Sequence, residues 1–223
     1  FRVSVGRARA ERRLLVLRLD FQFAEHFAGA DLQKADRGFQ FADGVYEVIP
    51  VHRSRPFRLR AHLRRLDASL AAIRLPNPHD EREWQSILQQ LAAAAGGAEM
   101  LLYVQVTRGA EAGRNHLFPR PASPTVFAFA GPYPLPSAKT LDEGLGAITL
   151  EDIRWARCDI KSIALLANVL LRQEAADRGA DEALLVREGL LLEGSSSSVL
   201  LCIGGNDFLR RLESTVLELS RSL

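Results

Sequence analysis

The chain has 223 residues, an apolar fraction of 47%, a charged fraction of 25% and a formal net charge of +2. These values are ordinary for a globular protein that buries a sizeable core in one large or two small domains. There is no separate basic tail and no run of about 18 apolar residues, so we expect neither a nucleic-acid partner nor a membrane span. Cys158 and Cys202 have neither disulfide-framework nor metal-ligand spacing, so we expect no metal and a reducing cytoplasm.

A turn signal and a strand pattern come early in the chain. Asp43-Gly44 precedes a segment to Ile49 that is rich in β-formers and has alternating character. In such a strand Val45, Glu47 and Ile49 share one face, whereas Tyr46 lies on the other. Tyr46 is either a half-buried sheet tyrosine or, through its hydroxyl, a contact for an anion.

Helical spacing of apolar residues predicts two helices, over residues 57–75 and 80–95. The first carries His62, Arg64 and Arg65 on its flanks, a cluster that is either a solvated face or a contact for a phosphate. A turn at Asp36-Arg-Gly38 and three strands complete this half of the chain. The three predicted strands are residues 12–19, 100–107 and 125–130.

A long polar loop over residues 108–119 carries Arg114 and His116. An arginine offers a fork of donors to a carboxylate, and a neighbouring histidine adds another donor. The alternative is a hairpin tip with solvated charges.

Lys161 is one of three lysines, against 26 arginines. It precedes a helical pattern from Ile163 to Arg178, for which Ser162 is the predicted N-cap. A desolvated lysine can lose its proton and form a Schiff base, which an arginine cannot do. The alternative is a surface lysine near a helix start. The apolar residues predicted to form the buried side of this helix are Leu165, Leu166, Val169, Leu170 and Ala176.

The C-terminal part alternates strands with turns. Glu193 ends a strand and precedes the small polar loop Gly194–Ser198, whose amides and hydroxyls suit a phosphate. Glu193 itself either caps the turn or serves a cationic partner such as a pyridinium nitrogen. The predicted elements here are strands over 182–187, 190–193 and 199–203, a hairpin turn at Glu188-Gly189 and a helix over 211–219.

Several separate motifs, in the right order, resemble those of the class IV aminotransferases, the pyridoxal-phosphate enzymes of fold type IV. Within that class the chain is most similar to the D-amino acid (D-alanine) branch, and the match runs from about residue 36 to about residue 203. The motifs are Asp36-Arg-Gly-Phe-Gln-Phe-Ala-Asp-Gly-Val-Tyr-Glu-Val48, the helix through His62 and Arg65, Val106-Thr-Arg-Gly109, Glu151-Asp-Ile-Arg-Trp-Ala-Arg-Cys-Asp-Ile-Lys-Ser162 and Glu193-Gly-Ser-Ser-Ser-Ser-Val199.

The resemblance implies a mixed α/β (α+β) architecture of fold type IV. A small N-terminal α/β domain over 1–131 would be joined by a connector, 132–136, to a larger β-barrel-like domain with helices over 137–223. The resemblance also implies pyridoxal 5'-phosphate as cofactor, an amino acid and a 2-oxo acid as substrates, and a homodimer whose active sites are shared between subunits.

The resemblance also assigns roles to individual residues. Lys161 would form the Schiff base and then move the α-proton, and Glu193 would bind the pyridine nitrogen. The cofactor phosphate would be held by Arg65 with Ser195, Ser196 and Ser197. The substrate carboxylate would be bound by Tyr46 with Arg114 and His116, the last two coming from the partner subunit.

The Arg-x-His spacing favours the D-amino acid branch over branched-chain aminotransferases and aminodeoxychorismate lyases, which stay as alternatives. After Gly205 the chain departs from the family pattern and lacks the Gly-Ile-Thr helix start that contacts the phosphate. We therefore expect an incomplete C-terminal domain. A catalytically impaired remnant that keeps the fold is the third alternative.

Overall fold

The computed structural model forms two compact units. One reaches Leu135 and also includes Ile160–Ala164, and the other comprises Pro136–Asp159 and the residues from Leu165 onward. The helix predicted over 211–219 and most of the strand predicted over 199–203 lie outside the described part of the chain. The structure describes residues 4–7 and 15–19 by their backbone alone, and residues 35–133 and 135–199.

A six-stranded antiparallel sheet forms the first unit, in the order β1-β2-β6-β5-β3-β4. The predictions of strands near 12–19, 45–49, 100–107 and 125–130 are confirmed, because alternating β-branched and aromatic residues pack well on a half-buried pleated surface. The strands are β1 (Ser4–Arg7), β2 (Leu15–Leu19), β3 (Gly44–His52), β4 (Arg55–Pro56), β5 (Met100–Thr107) and β6 (Thr125–Pro132).

Three helices belong to this unit: α1 (Arg37–Phe41), α2 (Leu59–Ala72) and α3 (Glu81–Ala95). A capping box formed by Asp80 and Glu83 starts α3, and Gly96, at a φ of +68°, ends it. The turn predicted at residues 36–38 is wrong. Asp36 instead caps α1, because its Oδ1 accepts a hydrogen bond from the backbone N–H of Gly38 at 2.7 Å.

The core of the first unit lies where α2 and α3 meet the sheet. Trp84 of α3 is 1% exposed, and its indole Nε1 donates to Oδ1 of Asn77 at 2.9 Å. Each fully buried leucine contributes about 2 kcal/mol of hydrophobic stabilisation. Fully buried aliphatic residues from both helices and the sheet include Val45, Ile49, Leu66, Leu70, Leu88, Leu91, Leu102, Val104 and Val106.

Aromatic side chains stack across the three neighbouring strands β3, β5 and β6. Tyr46 stacks on Tyr103 with ring centroids 5.7 Å apart, and Tyr103 stacks on Phe129 at 5.0 Å. In β3 the buried residues Val45, Glu47 and Ile49 alternate with Tyr46, so the predicted division of this strand into two faces is confirmed.

A three-stranded sheet in the order β7-β8-β9 organises the second unit. Its strands are β7 (Ala147–Glu151), β8 (Glu182–Arg187) and β9 (Leu190–Gly194), and its helices are α4 (Ala138–Glu143) and α5 (Leu166–Asp177). β7 runs parallel to β8, and β9 is antiparallel to β8 through the predicted Glu188-Gly189 turn.

None of the helices among the described residues is long and apolar enough to cross a membrane. The mixed α+β architecture is confirmed.

The start of α5 was predicted wrongly. Ser162 is not its N-cap, because Ser162 forms a β-bridge with Val45 and the N–H of Ile163 donates to the carbonyl of Gly44 at 3.2 Å. A backbone that pairs with β3 cannot also begin a helix, so α5 starts at Leu166. Its predicted buried side is wrong too: the buried residues are Leu171 and Ala175. Those that the structure leaves exposed instead are Leu165, Leu166, Val169, Leu170 and Ala176.

Candidate active site

Lys161 lies on a short segment that is held between a strand and a helix of the first unit. Its carbonyl accepts a hydrogen bond from the N–H of Tyr46 in β3 at 3.0 Å. Its own N–H donates to Oγ of Ser69 in α2 at 3.2 Å. Both backbone groups are used, so the position of the Lys161 Cα is fixed by two elements of the core.

The amine of Lys161 lies 4.4 Å from the ring centroid of Tyr46. Burial lowers the pKa of Lys161, the charge of Arg65 lowers it further, and Glu47 opposes them, so the pKa stays below its ordinary value. More of this amine is therefore neutral near pH 7 than for a surface lysine. A neutral amine is the form that attacks an aldehyde or accepts a proton.

The buried carboxylate of Glu47 in β3 binds two basic side chains of α2 near Lys161. Glu47 is 0% exposed and accepts hydrogen bonds from Nδ1 of His62 at 2.8 Å and from Nε and Nη2 of Arg65 at 2.6 and 2.8 Å. Burial by itself raises the pKa of Glu47, but the hydrogen bonds from Arg65 and His62 lower it below the ordinary value. His62 and Arg65 are three residues apart on α2, so both reach the same carboxylate.

Arg65 keeps part of its hydrogen-bonding capacity. Its side chain is 51% exposed, and its Nη1 has no hydrogen-bond partner in the described part of the chain. Two N–H donors and a positive charge are thus available to an anion such as a phosphate group.

Arg114 and His116 lie together against Phe41 of α1. The guanidinium carbon of Arg114 is 4.6 Å from the ring centroid of Phe41, and the His116 and Phe41 centroids are 5.1 Å apart. Both polar side chains are exposed, and among the described residues neither forms a hydrogen bond or a ring contact with Tyr46. The structure therefore groups the predicted Arg-x-His pair but does not join it to Tyr46 of the same chain.

Arg108 anchors the base of the loop that carries this pair. It is 2% exposed, and its Nε donates to Oδ2 of Asp43 at 2.8 Å and its Nη2 to the carbonyl of Ile73 at 2.7 Å. The ring of Phe118 lies 3.7 Å from its guanidinium carbon. Arg108 is thus a structural residue rather than a solvated charge of the loop.

Glu193 belongs to the second unit, where it ends β9. Its Oε1 accepts a hydrogen bond from Nη1 of Arg154, whose side chain is 7% exposed. The Glu193 side chain is 35% exposed, and its Oε2 has no hydrogen-bond partner within residues 35–133 and 135–199. Arg154 is therefore a cationic partner of Glu193 within the protein itself.

The serine loop after Glu193 turns its hydroxyls to another carboxylate. Ser196 and Ser197 donate to Oε2 of Glu182 at 2.9 and 2.8 Å, and Ser195 donates to its Oε1. Although burial alone raises the pKa of Glu182, these hydrogen bonds and one from the N–H of Ala183 lower it to about 2. The three hydroxyls predicted to bind phosphate are therefore engaged with a carboxylate.

Sequence reasoning missed the charged residues that support the predicted site. They are Glu47 in the first unit and Asp152, Arg154 and Glu182 in the second. Glu47 carried a signal, since an acidic residue on an apolar strand face requires a buried partner. Asp152 and Arg154 lie in a polar segment that gives no such signal, and Glu182 stands at the first position of β8, where an acidic residue is ordinary.

Each unit, taken by itself, carries groups of the kinds that bind pyridoxal 5'-phosphate. Lys161 offers a deprotonatable amine for the aldehyde, and Glu193 offers an oxygen without a hydrogen-bond partner among the described residues for the ring nitrogen. Arg65 offers an exposed terminal nitrogen for the phosphate.

Comparisons with known proteins point the same way. The chain is 44% identical over 164 residues to the D-alanine aminotransferase of Bacillus licheniformis. The aligned region covers 74% of this chain and 57% of that protein. The chain thus spans less than three fifths of the length of this curated relative.

Two solved structures have a similar fold. A hypothetical aminotransferase from Mycobacterium tuberculosis in its PLP-bound form gives a TM-score of 0.63 at 27% identity, over 81% of this chain and 64% of that one. The 4-amino-4-deoxychorismate lyase of Pseudomonas aeruginosa gives 0.61 at 25%, over 82% and 64%. Residues 44–218 match the family described as amino-transferase class IV. The chain belongs to the class IV aminotransferases.

Proposed function

We propose that this protein transfers an amino group between a D-amino acid of the D-alanine type and a 2-oxo acid, with pyridoxal 5'-phosphate as cofactor. The observation that carries the proposal is the half-buried Lys161, whose amine lies 4.4 Å from the Tyr46 ring centroid and whose pKa is lowered. The 44% identity to a D-alanine aminotransferase supports the choice of branch. We also propose a cytoplasmic location, because the two cysteines lack the spacing of a disulfide framework.

When bound, the cofactor supplies an aldehyde for an amine and a ring that accepts electrons. Lys161 would hold the cofactor through its amine and would take and return the proton at the substrate Cα. Glu193 would pair with the ring nitrogen and keep it protonated. Arg65 would bind the phosphate through its Nη1, and Ser195, Ser196 and Ser197 would contribute only once their hydroxyls leave Glu182.

Tyr46, Arg114 and His116 bind the substrate carboxylate in this proposal. Arg114 and His116 act on the partner subunit's site, so the enzyme is a homodimer. Both side chains are exposed and are therefore accessible to a partner subunit. The domain division at residues 132–136 is part of the same proposal.

Covalent labelling tests the proposal at Lys161. The protein is incubated with pyridoxal phosphate, reduced with borohydride and digested, and the labelled peptides are identified by mass spectrometry. We expect the label on Lys161 and its loss in Lys161→Ala. Lys139→Ala is the matched control, because Lys139 is an exposed lysine paired with Glu143 at 3.6 Å. Label spread equally over Lys139 and Lys161, or absent from both, contradicts the proposal.

Substrate assays separate the proposal from its alternatives. We expect amino transfer from D-alanine to a 2-oxo acid and little from L-leucine. Activity with L-leucine alone indicates a branched-chain aminotransferase, and release of product from aminodeoxychorismate indicates a lyase. Labelling of Lys161 without turnover of any of these substrates indicates the catalytically impaired remnant.

A further inference from the structure

Buried charges of the second unit converge on Glu193. The Arg154 side chain is 7% exposed, and its Nε and Nη2 donate to Oδ1 and Oδ2 of Asp152 at 2.8 and 2.9 Å. Its third nitrogen, Nη1, donates to Oε1 of Glu193. Arg154 thus joins a fully buried carboxylate to a partly exposed one, and all three of its nitrogens are used.

A second arginine balances the charge of this cluster. Nη2 of Arg187 donates to Oδ2 of Asp152 at 2.9 Å and to the carbonyl of Arg154 at 3.2 Å. Although burial by itself raises the pKa of Asp152, the hydrogen bonds and charge of Arg154 and the charge of Arg187 lower it. Arg154 therefore interacts with two carboxylates, the ionised Asp152 and Glu193, and its positive charge is shared between them.

We propose that Arg154 is a positioning residue for Glu193 and that Asp152 holds Arg154 in place. Arg154 fixes Oε1 of Glu193, which leaves Oε2 for the protonated ring nitrogen of pyridoxal phosphate. A planar guanidinium held on two sides restricts the direction of the carboxylate that it contacts. It also stays charged at every pH at which proteins are folded. The inference rests on the proposed function, because it takes the ring nitrogen as the partner of Glu193.

The fork of the guanidinium is the feature that this role requires. A lysine at position 154 keeps the positive charge, but its single ammonium cannot bind both oxygens of Asp152 and also Glu193 in one fixed plane. Arg154→Lys is therefore expected to keep part of the effect on affinity and to lose the fixed orientation.

The test uses pyridoxal phosphate labelled with 15N in the ring. Its dissociation constant and the 15N resonance of the bound ring are measured for the wild type, Arg154→Gln, Arg154→Lys and Arg157→Gln. We expect Arg154→Gln to weaken binding about tenfold or more, as for groups that orient a direct ligand. We also expect it to move the resonance toward that of unprotonated pyridine. Arg157 is the matched control, since it pairs with Asp159 on the surface of the same segment.

A double-mutant cycle separates positioning from a merely structural role. In the Glu193→Gln background, Arg154→Gln should change the dissociation constant far less than in the wild type, because the oriented group is gone. If Arg154→Gln does not fold, judged by circular dichroism, the cycle uses Arg154→Lys. Equal effects in both backgrounds, or a wild-type 15N resonance in the Arg154 variant, overturn the inference alone. A wild type that binds no pyridoxal phosphate overturns the proposed function as well.

Discussion

Each of the two units contains an arginine–glutamate ion pair, but the two units bury opposite members of the pair. In the first unit Glu47 is 0% exposed and Arg65 51%. In the second unit Arg154 is 7% exposed and Glu193 35%. In both, the exposed member is the one proposed to touch the cofactor.

The buried members differ in how their charge is balanced. Buried Glu47 depends on Arg65 itself, with His62 as the other donor. Buried Arg154 has Asp152 behind it, a carboxylate with no proposed contact to the cofactor. Binding and stability are therefore expected to share one residue in the first unit and to be divided between two residues in the second.

The largest expected effect is the loss of Arg65. In Arg65→Gln the carboxylate of Glu47 stays buried with His62 as its remaining charged partner, which should lower the free energy of unfolding by about 3 kcal/mol. Glu47→Gln should cost only about 1 kcal/mol, because the half-exposed Arg65 can be hydrated instead. Urea titration measures both values. A larger loss in Glu47→Gln would show that the buried carboxylate does not depend on Arg65.

In the second unit, the loss of the exposed Glu193 should cost less stability than the loss of the buried Asp152. Asp152→Asn leaves Arg154 and Arg187 with one carboxylate between them and should cost about 2 kcal/mol. Glu193→Gln should cost less than about 1 kcal/mol, because Asp152 still balances Arg154. The same urea titrations apply. If Glu193→Gln is as destabilising as Asp152→Asn, the proposed division between binding and stability is wrong.

The serine loop offers a smaller, pH-dependent effect. The pKa of Glu182 is about 2, below its ordinary value of 4.5, so its contribution is complete above about pH 4.5 and is lost as the pH falls through 2. With allowance for solvent screening, Glu182→Gln should cost about 1 kcal/mol at pH 7. Thermal unfolding at pH 7, 4 and 2 should show this difference shrinking.

A matched control for this experiment is Glu151→Gln, at an exposed carboxylate of β7. It should leave stability unchanged across the same pH range. A Glu182 effect that stays constant down to pH 2 would indicate a packing role rather than an ionised carboxylate.

The smallest expected effect is on the reactivity of Lys161. Arg65→Gln removes a charge that lowers the pKa of Lys161, so the pKa should rise; Glu47→Gln removes one that raises it, so the pKa should fall. At pH 8 acylation of Lys161 should be slower in the first variant and faster in the second. Mass spectrometry of the labelled peptides measures the rates, with Lys139 as the internal reference. Changes in the same direction would contradict the balance of charges described here.

Patterns within a few residues predicted most of the strands and helices. Elements whose bounds depend on pairing with distant residues were predicted wrongly. Met100–Thr107 was predicted with its observed bounds because alternation is visible within a few residues. The start of α5 was missed because Ser162 pairs with Val45, which is distant in sequence.

In the candidate site, too, contacts between residues distant in sequence were not predicted. The sequence neighbours of Lys161 and Glu193 single out these two residues, and the family motifs indicate their roles. The partner of Glu193 is 39 residues away, and Glu47 is 18 residues from Arg65, so spacing alone could not reveal these pairs.

The two tryptophans of the chain divide between the units. Trp84 lies in the core of the first at 1% exposure, whereas Trp155, next to Arg154 in the second, is 47% exposed. Their fluorescence should therefore differ, with Trp84 emitting at shorter wavelength and Trp155 quenched first by acrylamide. One emission spectrum can thus follow the opening of the α2–α3 core and the surroundings of the Arg154 cluster as separate signals, without any introduced label.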